Sequence, residues 1–176
     1  NWWIIARIFF KDAIVASMLI AEMACYYHLK NMTLYEALFT LYKKYGYFVE
    51  QSVSVTMDGL DGLEKIKTVM SNLRKSTPSQ FANSKVVKVR DYQTSIIDNV
   101  ETGEQELTGL PTSNVLFYEL EDGSSVIVRP SGTEPKLKVY IMVKADSYEA
   151  AIEKKEMLAE YSKSLVGKLS VTDVLI

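Results

Sequence analysis

Three runs of β-forming residues near the C-terminus constrain the fold of this chain more than any other feature. They are Val115–Leu120, Ser125–Arg129 and Leu137–Ala145. Apolar, β-branched and aromatic residues at this density, bounded by turn residues, are typical of strands. Asp122 and Gly123 lie between the first two runs and favour a tight hairpin turn. The chain is therefore expected to contain an antiparallel sheet in this region.

Apolar residues at three- and four-residue steps predict four helices elsewhere in the chain. They span Asp12–Asn31, Thr33–Gly46, Asp61–Lys75 and Asp146–Gly167. The second and third helices each begin with a capping box. In this motif a Thr or Asp side chain accepts from a free backbone amide, and a Glu three residues later reaches back. A glycine is expected to end the second and the fourth helix. The second helix is expected to bury an apolar stripe formed by Leu34, Ala37, Leu38, Leu41 and Tyr42.

Two further strands are predicted at Tyr47–Met57 and Val86–Tyr92, whereas Asp98–Gly109 is polar and is interpreted as a turn or excursion. From the first of these strands onward, the predicted order is β-α-β-β-β-β-α. This order predicts an α+β domain at residues 47–176, in which helices cover one face of a mainly antiparallel sheet. The two helices of residues 1–46 are expected to be a helical remnant from the end of a truncated α/β domain.

Composition excludes several classes of protein. The 20 Lys and Arg against 22 Asp and Glu leave a net charge of −2, so overall charge predicts no attraction to nucleic acid or to a membrane. Charged residues within the apolar stretch Trp2–Tyr27 oppose a membrane-spanning helix. The single cysteine, Cys25, and the single histidine, His28, provide neither an internal disulfide nor a zinc cluster. Cys25 is expected to be a small buried hydrophobe, and His28 a structural residue.

The segment Arg129–Pro135, with the sequence Arg-Pro-Ser-Gly-Thr-Glu-Pro, carries the most informative chemistry. Arg129 ends a predicted strand, and its guanidinium offers a fork of donors suited to two phosphate oxygens. Ser131 and Thr133 add hydroxyl groups, and Gly132 lets the backbone approach an anion and turn an amide toward it. The two prolines stiffen the segment. These residue types point to phosphate recognition.

Two lysines follow this segment, Lys136 and Lys138, and both can raise the local positive potential. The alternative is an ordinary proline-bounded turn with a solvated arginine, because turns are rich in these residue types anyway. For Lys138 the alternative is a strand residue with a solvated tip. Residue types alone give the two interpretations of the segment equal weight.

The segment and its surroundings resemble a known enzyme family. Arg129–Pro135 between two apolar strands resembles the C-terminal phosphate-binding loop of the α-D-phosphohexomutases, the phosphoglucomutase and phosphomannomutase family. Lys11–Ser17 with Ala21–Ala24 resembles the helix that follows the sugar-binding loop in the third domain of that family. Leu34–Gly46 resembles the helix that leads into the fourth domain. The resemblance covers the whole chain, loosely before Tyr47 and closely around the loop.

The resemblance implies the C-terminal substrate-phosphate-binding domain of an isomerase that interconverts hexose 1-phosphate and hexose 6-phosphate. It implies Mg²⁺ and hexose 1,6-bisphosphate as cofactors of the whole enzyme. A hexose phosphate substrate and the missing N-terminal domains are the implied partners, and the cytoplasm is the implied location. The residues implied to hold the substrate phosphate are Arg129, Ser131, Gly132, Thr133 and Lys138.

The family's catalytic serine loop, metal loop and sugar-binding loop do not occur in this sequence, so the chain is expected to contain no catalytic or metal-binding residue and to be inactive alone. Asp58–Asp61 lacks the alternation and the third ligand of a metal loop, and helix capping explains Asp61 better. Gly103–Glu106 resembles the sugar-binding loop only in its residue types. Two alternatives stay open. One is a free-standing, non-catalytic phosphate or sugar-phosphate binding module, and the other is a structural interaction domain with an unused loop.

Overall fold

The computed structural model of the protein describes residues 13–57, 59 and 61–171. The chain divides into two compact units, Asn1–Gly46 and Tyr47–Ile176. Among the described residues, no helix combines the length and the apolar character needed to cross a membrane.

The first unit contains, in its described part, helix α1 (Ala13–His28) and helix α2 (Leu34–Tyr45). Thr33 caps α2 as predicted, because its Oγ1 accepts from the Glu36 backbone N–H at 3.2 Å and Glu36 Oε2 accepts from the Thr33 N–H at 2.7 Å. The bond from the Thr33 N–H holds the pKa of the Glu36 carboxyl below its usual value. Gly46 ends α2 with a φ of 97°, a conformation that favours glycine.

Two predictions for this unit are wrong. Cys25 is exposed rather than buried. Much of the apolar stripe expected to be covered on α2 is also exposed, since Leu38 is 42% exposed and Leu41 is 46% exposed. Among the residues of α2, Ala37 is buried. Two helices bury little apolar surface between them, because a small unit has a high ratio of surface to volume.

The second unit is an α+β domain built on one antiparallel sheet, as predicted. Its elements are β1 (Tyr47–Thr56), α3 (Gly62–Lys75), β2 (Gln80–Phe81), β3 (Ser84–Asp91), β4 (Ile96–Asn99), β5 (Gln105–Leu107), β6 (Leu116–Leu120), β7 (Ser125–Pro130), β8 (Lys136–Ala145) and α4 (Tyr148–Val171). The strands lie in the order β1-β8-β7-β6-β3-β4-β5, and β2 pairs with β3 off this path. The central hairpin of β7 and β8 therefore lies between β1 and β6.

The sequence patterns missed β2, β4 and β5. The hairpin of β4 and β5 overlaps Asp98–Gly109, which was interpreted as a turn or excursion, and Gly103 has a φ of 73° in its turn. Every residue of β5 is exposed, so backbone pairing rather than apolar alternation defines this strand. Helix α4 continues past Gly167, where it was expected to end, because this glycine lacks the left-handed φ of a helix stop and Val166 beside it is buried.

The core lies between one face of the sheet and helices α3 and α4. Alternate residues of β8 point into it and are at most 1% exposed: Leu137, Val139, Ile141 and Val143. Tyr118 of β6 packs against Phe81 of β2 with ring centroids 5.0 Å apart. The opposite face, called the open face below, carries β8 side chains that are half-buried or exposed, among them Lys138, Tyr140, Met142 and Lys144.

Candidate phosphate-binding site

Strands β7 and β8 bring together the two ends of the phosphate loop, Arg129–Pro135. Arg129 lies directly opposite Lys138 in the antiparallel register. Beyond this pair, the Ser131 N–H donates to the Lys136 carbonyl at 2.8 Å and closes the turn. The loop is therefore a short, hydrogen-bonded connection at one end of the central hairpin.

Arg129 and Lys138 place two positive charges side by side on the open face. Residues opposite each other in antiparallel strands point to the same face of a sheet. Arg129 is exposed and Lys138 is half-buried, and neither side chain forms a hydrogen bond or an ion pair within the part of the chain that the structure describes. Because like charges directly opposite each other repel, a bound anion would stabilise this arrangement.

The residues between the two cations offer further donors. The hydroxyls of Ser131 and Thr133 form no hydrogen bond among the described residues. Gly132 does not adopt the left-handed φ, and a Cβ at this position would meet no atom within 4 Å. The fold itself therefore has space for a side chain at Gly132. The structure brings all five predicted phosphate-binding residues to one end of the sheet.

Lys136 contributes less positive potential than expected. Its Nζ lies 3.2 Å from Glu134 Oε1, and its backbone N–H donates to the Glu134 carbonyl at 2.7 Å. Glu134 therefore shapes the loop and offsets the charge of its neighbour. Among the described residues of the loop and its flanks, Arg129 and Lys138 are the cations that no carboxylate balances.

Asp61 stands at the N-cap position of α3, but the predicted cap is wrong. The Asp61 side chain makes no capping hydrogen bond, and its Oδ2 lies 3.0 Å from Lys65 Nζ. The hydrogen bond from Lys65 holds the pKa of the Asp61 carboxyl below its usual value. The backbone of Asp61, with φ −93° and ψ 4°, lacks the extended conformation that aims a capping side chain at the first turn. The companion residue Asp58 lies outside the described residues.

No three His, Cys, Asp or Glu side chains lie close enough together to hold a metal ion within residues 13–57, 59 and 61–171. Gly103–Glu106 lies in the hairpin of β4 and β5, and β5 is the edge strand opposite β1. The structure thus separates these acidic residues from the phosphate loop.

Two contacts that hold α3 in place were not predicted. At its C-terminal end, Arg74 donates to Asp91 and to Asn114, which precedes β6. At its N-terminal end, Gly62 packs closely against Pro135 of the phosphate loop. The sequence carries no local signal for the contacts of Arg74. For the contact of Gly62, the one signal is a glycine in the first turn of a predicted helix, where glycine is unfavourable.

Comparison with known proteins identifies the class of this domain. Residues 63–160, more than half of the chain, match the family described as "Phosphoglucomutase/phosphomannomutase, C-terminal domain". An α+β domain with this loop and this match is the C-terminal domain of a phosphoglucomutase/phosphomannomutase-type enzyme. The chain belongs to the phosphoglucomutase/phosphomannomutase family, and the resemblance predicted from its sequence is confirmed.

Individual relatives show how much of such an enzyme the chain spans. The phosphoglucomutase of Staphylococcus haemolyticus is 33% identical over 139 residues, which are 79% of this chain and 25% of the relative. The phosphoglucomutase of Staphylococcus saprophyticus is 29% identical over 156 residues, which are 89% of this chain and 28% of the relative. The chain therefore spans about a quarter of the length of these relatives.

A solved structure supports the fold. The crystal structure of the exocytosis-sensitive phosphoprotein pp63/parafusin, a phosphoglucomutase from Paramecium in its open form, aligns with a TM-score of 0.52. The alignment covers 90% of this chain and 28% of that chain, at 13% identity. The similarity concerns the fold alone.

Proposed function

We propose that residues 47–176 bind the substrate phosphate in an enzyme that interconverts hexose 1-phosphate and hexose 6-phosphate. The observation that carries this proposal is that Arg129 and Lys138, which no described carboxylate balances, lie beside a loop whose hydroxyls form no hydrogen bond among the described residues. The chain that holds this arrangement belongs to the phosphoglucomutase/phosphomannomutase family. The relatives named phosphoglucomutase support the choice of a glucose phosphate as the first substrate to test.

Each residue of the site has a separate task in this proposal. The guanidinium of Arg129 donates to two phosphate oxygens in its planar fork, and Lys138 adds a point charge from the neighbouring strand. The hydroxyls of Ser131 and Thr133 and the amide of Gly132 donate to the remaining oxygens. A phosphate held in this way fixes the far end of the sugar, so that binding energy orients the reacting end.

The chain alone is proposed to be inactive. The Ser131 hydroxyl forms no hydrogen bond to a base among the described residues, so nothing there activates it as a nucleophile. The catalytic serine, the Mg²⁺ and the hexose 1,6-bisphosphate would then belong to N-terminal domains, of which the helices of residues 1–46 are the end. The cytoplasm is the proposed location, and the mannose phosphate is the alternative substrate.

A titration of the ¹⁵N-labelled chain with glucose 1-phosphate tests the proposal. Amide shifts are expected at Arg129–Glu134, with a roughly millimolar dissociation constant because one phosphate clamp is present without the other domains. Lys138→Ala should weaken binding about tenfold, the effect of losing one charge-assisted hydrogen bond.

Lys144→Ala is the matched control. Lys144 lies on the same face of β8 as Lys138, six residues and about 20 Å away along the strand. It should leave the dissociation constant unchanged. If the loop amides do not shift in about 20 mM ligand, or if both lysine variants weaken binding equally, the proposed site is wrong.

A further inference from the structure

Gly62 begins helix α3 at a point where the chain has no room for a side chain. A Cβ at Gly62 would lie 2.2 Å from the Met57 carbonyl oxygen and 3.2 Å from Pro135 Cβ. Real Cβ atoms do not approach a backbone oxygen so closely. The φ of Gly62 is outside the left-handed region. Space, rather than backbone conformation, is therefore what requires glycine here.

The same two neighbours are bonded to each other. The Met57 N–H donates to the Pro135 carbonyl at 2.9 Å, one step beyond the pairing of β1 with β8. Met57 is thus held between the first residue of α3 and the last residue of the phosphate loop. The Gly62 N–H also donates to the Gly59 carbonyl at 3.2 Å.

Pro135 has few other constraints. It is exposed, as are Gly132, Thr133 and Glu134 before it. The loop is closed by the bond from the Ser131 N–H to the Lys136 carbonyl and is otherwise held at its C-terminal end. Only one residue, Glu134, separates Pro135 from Thr133, so a displacement of Pro135 is transmitted to Thr133 over a short stretch of backbone.

We propose that Gly62 is a positioning residue for the phosphate loop, because its missing side chain lets α3 seat against Met57 and Pro135 and so sets the position of the loop donors. The expected effect of Gly62 on phosphate binding rests on the proposed function. The claim that Gly62 sets the loop conformation does not, and it can be tested without a ligand.

Gly62→Ala tests the inference against Gly167→Ala. Gly167 lies in helix α4, where a Cβ would meet no atom within 4 Å. Without ligand, Gly62→Ala should shift the amide resonances of Met57 and of residues 131–136, and Gly167→Ala should not. With inorganic phosphate as the probe, Gly62→Ala should weaken binding about tenfold, as expected when donors move by a fraction of an ångström.

A destabilised control separates positioning from loss of stability. Leu73→Ala removes a side chain that is 1% exposed on the same helix, about 16 Å along the helix axis from Gly62. It should lower the unfolding midpoint and leave the dissociation constant for phosphate unchanged. If it weakens phosphate binding as much as Gly62→Ala does, Gly62 has only a structural role.

A measurement on the wild-type chain covers the case in which Gly62→Ala does not fold. Saturating phosphate should slow hydrogen exchange of the Met57 and Gly62 amides, because coupling between loop and helix is reciprocal. The Gly123 amide, bonded to the Leu120 carbonyl in a distant turn, should not change.

The two proposals fail in different ways. If the wild-type loop does not respond to phosphate, the proposed function is wrong, and the ligand-free spectra still decide the structural role of Gly62. If the loop binds phosphate and folded Gly62→Ala matches wild type in loop resonances and affinity, the positioning role is wrong.

Discussion

Arg74→Met should destabilise the second unit by about 2–3 kcal/mol. Arg74 Nε donates to Asp91 Oδ2 at 3.0 Å, and its Nη2 donates to Asp91 Oδ1 at 3.2 Å and to Asn114 Oδ1 at 2.7 Å. The side chains of Arg74 and Asp91 are 21% and 12% exposed. Exposed ion pairs contribute about 0–1 kcal/mol, and removing one partner of a buried pair costs about 3–5 kcal/mol. The free-energy cost of removing this bidentate pair should lie between those two ranges, nearer the value for a buried pair. Methionine keeps the packing of the arginine stem.

Urea unfolding of the full chain measures this loss. Both tryptophans, Trp2 and Trp3, precede the described residues, so the amide resonances of Val139 and Ile141 in β8 are the better probes of the second unit. With an m-value of about 1.5–2 kcal/mol/M, the expected midpoint shift is about 1–2 M urea.

A double-mutant cycle with Asp91→Asn isolates the pair. We expect a coupling energy of at least about 1 kcal/mol, because the two side chains contact each other directly. A loss below about 1 kcal/mol for Arg74→Met, together with no coupling, would refute the reasoning. The pair would then behave as an exposed one, and α3 would be held by its apolar face alone.

Two further substitutions test the core. Tyr118→Phe should leave stability unchanged or raise it by about 1 kcal/mol, because the buried Tyr118 hydroxyl has no hydrogen-bond partner among the described residues. Burial raises the pKa of Tyr118 well above its ordinary value of 10.0, so wild type should lose stability above about pH 10, where the unfolded tyrosine ionises first. Urea midpoints of wild type and Tyr118→Phe should diverge there, and parallel curves would contradict this account. Ile141→Ala removes a side chain that is 0% exposed and should cost about 2–5 kcal/mol in urea unfolding. Lys144→Ala on the same strand should stay within about 0.5 kcal/mol of wild type, and equal losses for these two variants would contradict the assigned faces of β8.

Local patterns predicted most of the elements because their signals are short-range. Strand β6 alternates buried and accessible residues over its whole length, and β8 does so from Lys136 to Lys144. The cap of α2 needs only Thr33 and Glu36, three residues apart. Patterns failed where other forces define the element. β5 is a strand by backbone pairing alone, and α4 continues through Gly167 beside the buried Val166.

The residues proposed for the site were predictable because five of them lie within ten positions of one another. Their balance of charge was not predictable. Lys136 is paired with Glu134 two residues away, whereas Lys138 has no such partner among the described residues. Which lysine is balanced depends on side-chain geometry within the turn, and residue types do not encode that geometry.

By itself, the sequence determined the class of fold, the order of its main elements and the loop that identifies the family. Only the tertiary structure decided that Arg129 lies opposite Lys138, that Asp61 pairs with Lys65 instead of capping α3, and that Gly62 seats against the loop. Local patterns reflect propensity and periodicity, which act over a few residues. Cross-strand register and the seating of a helix on a loop depend instead on the packing of the whole core, so they emerge only when distant segments meet.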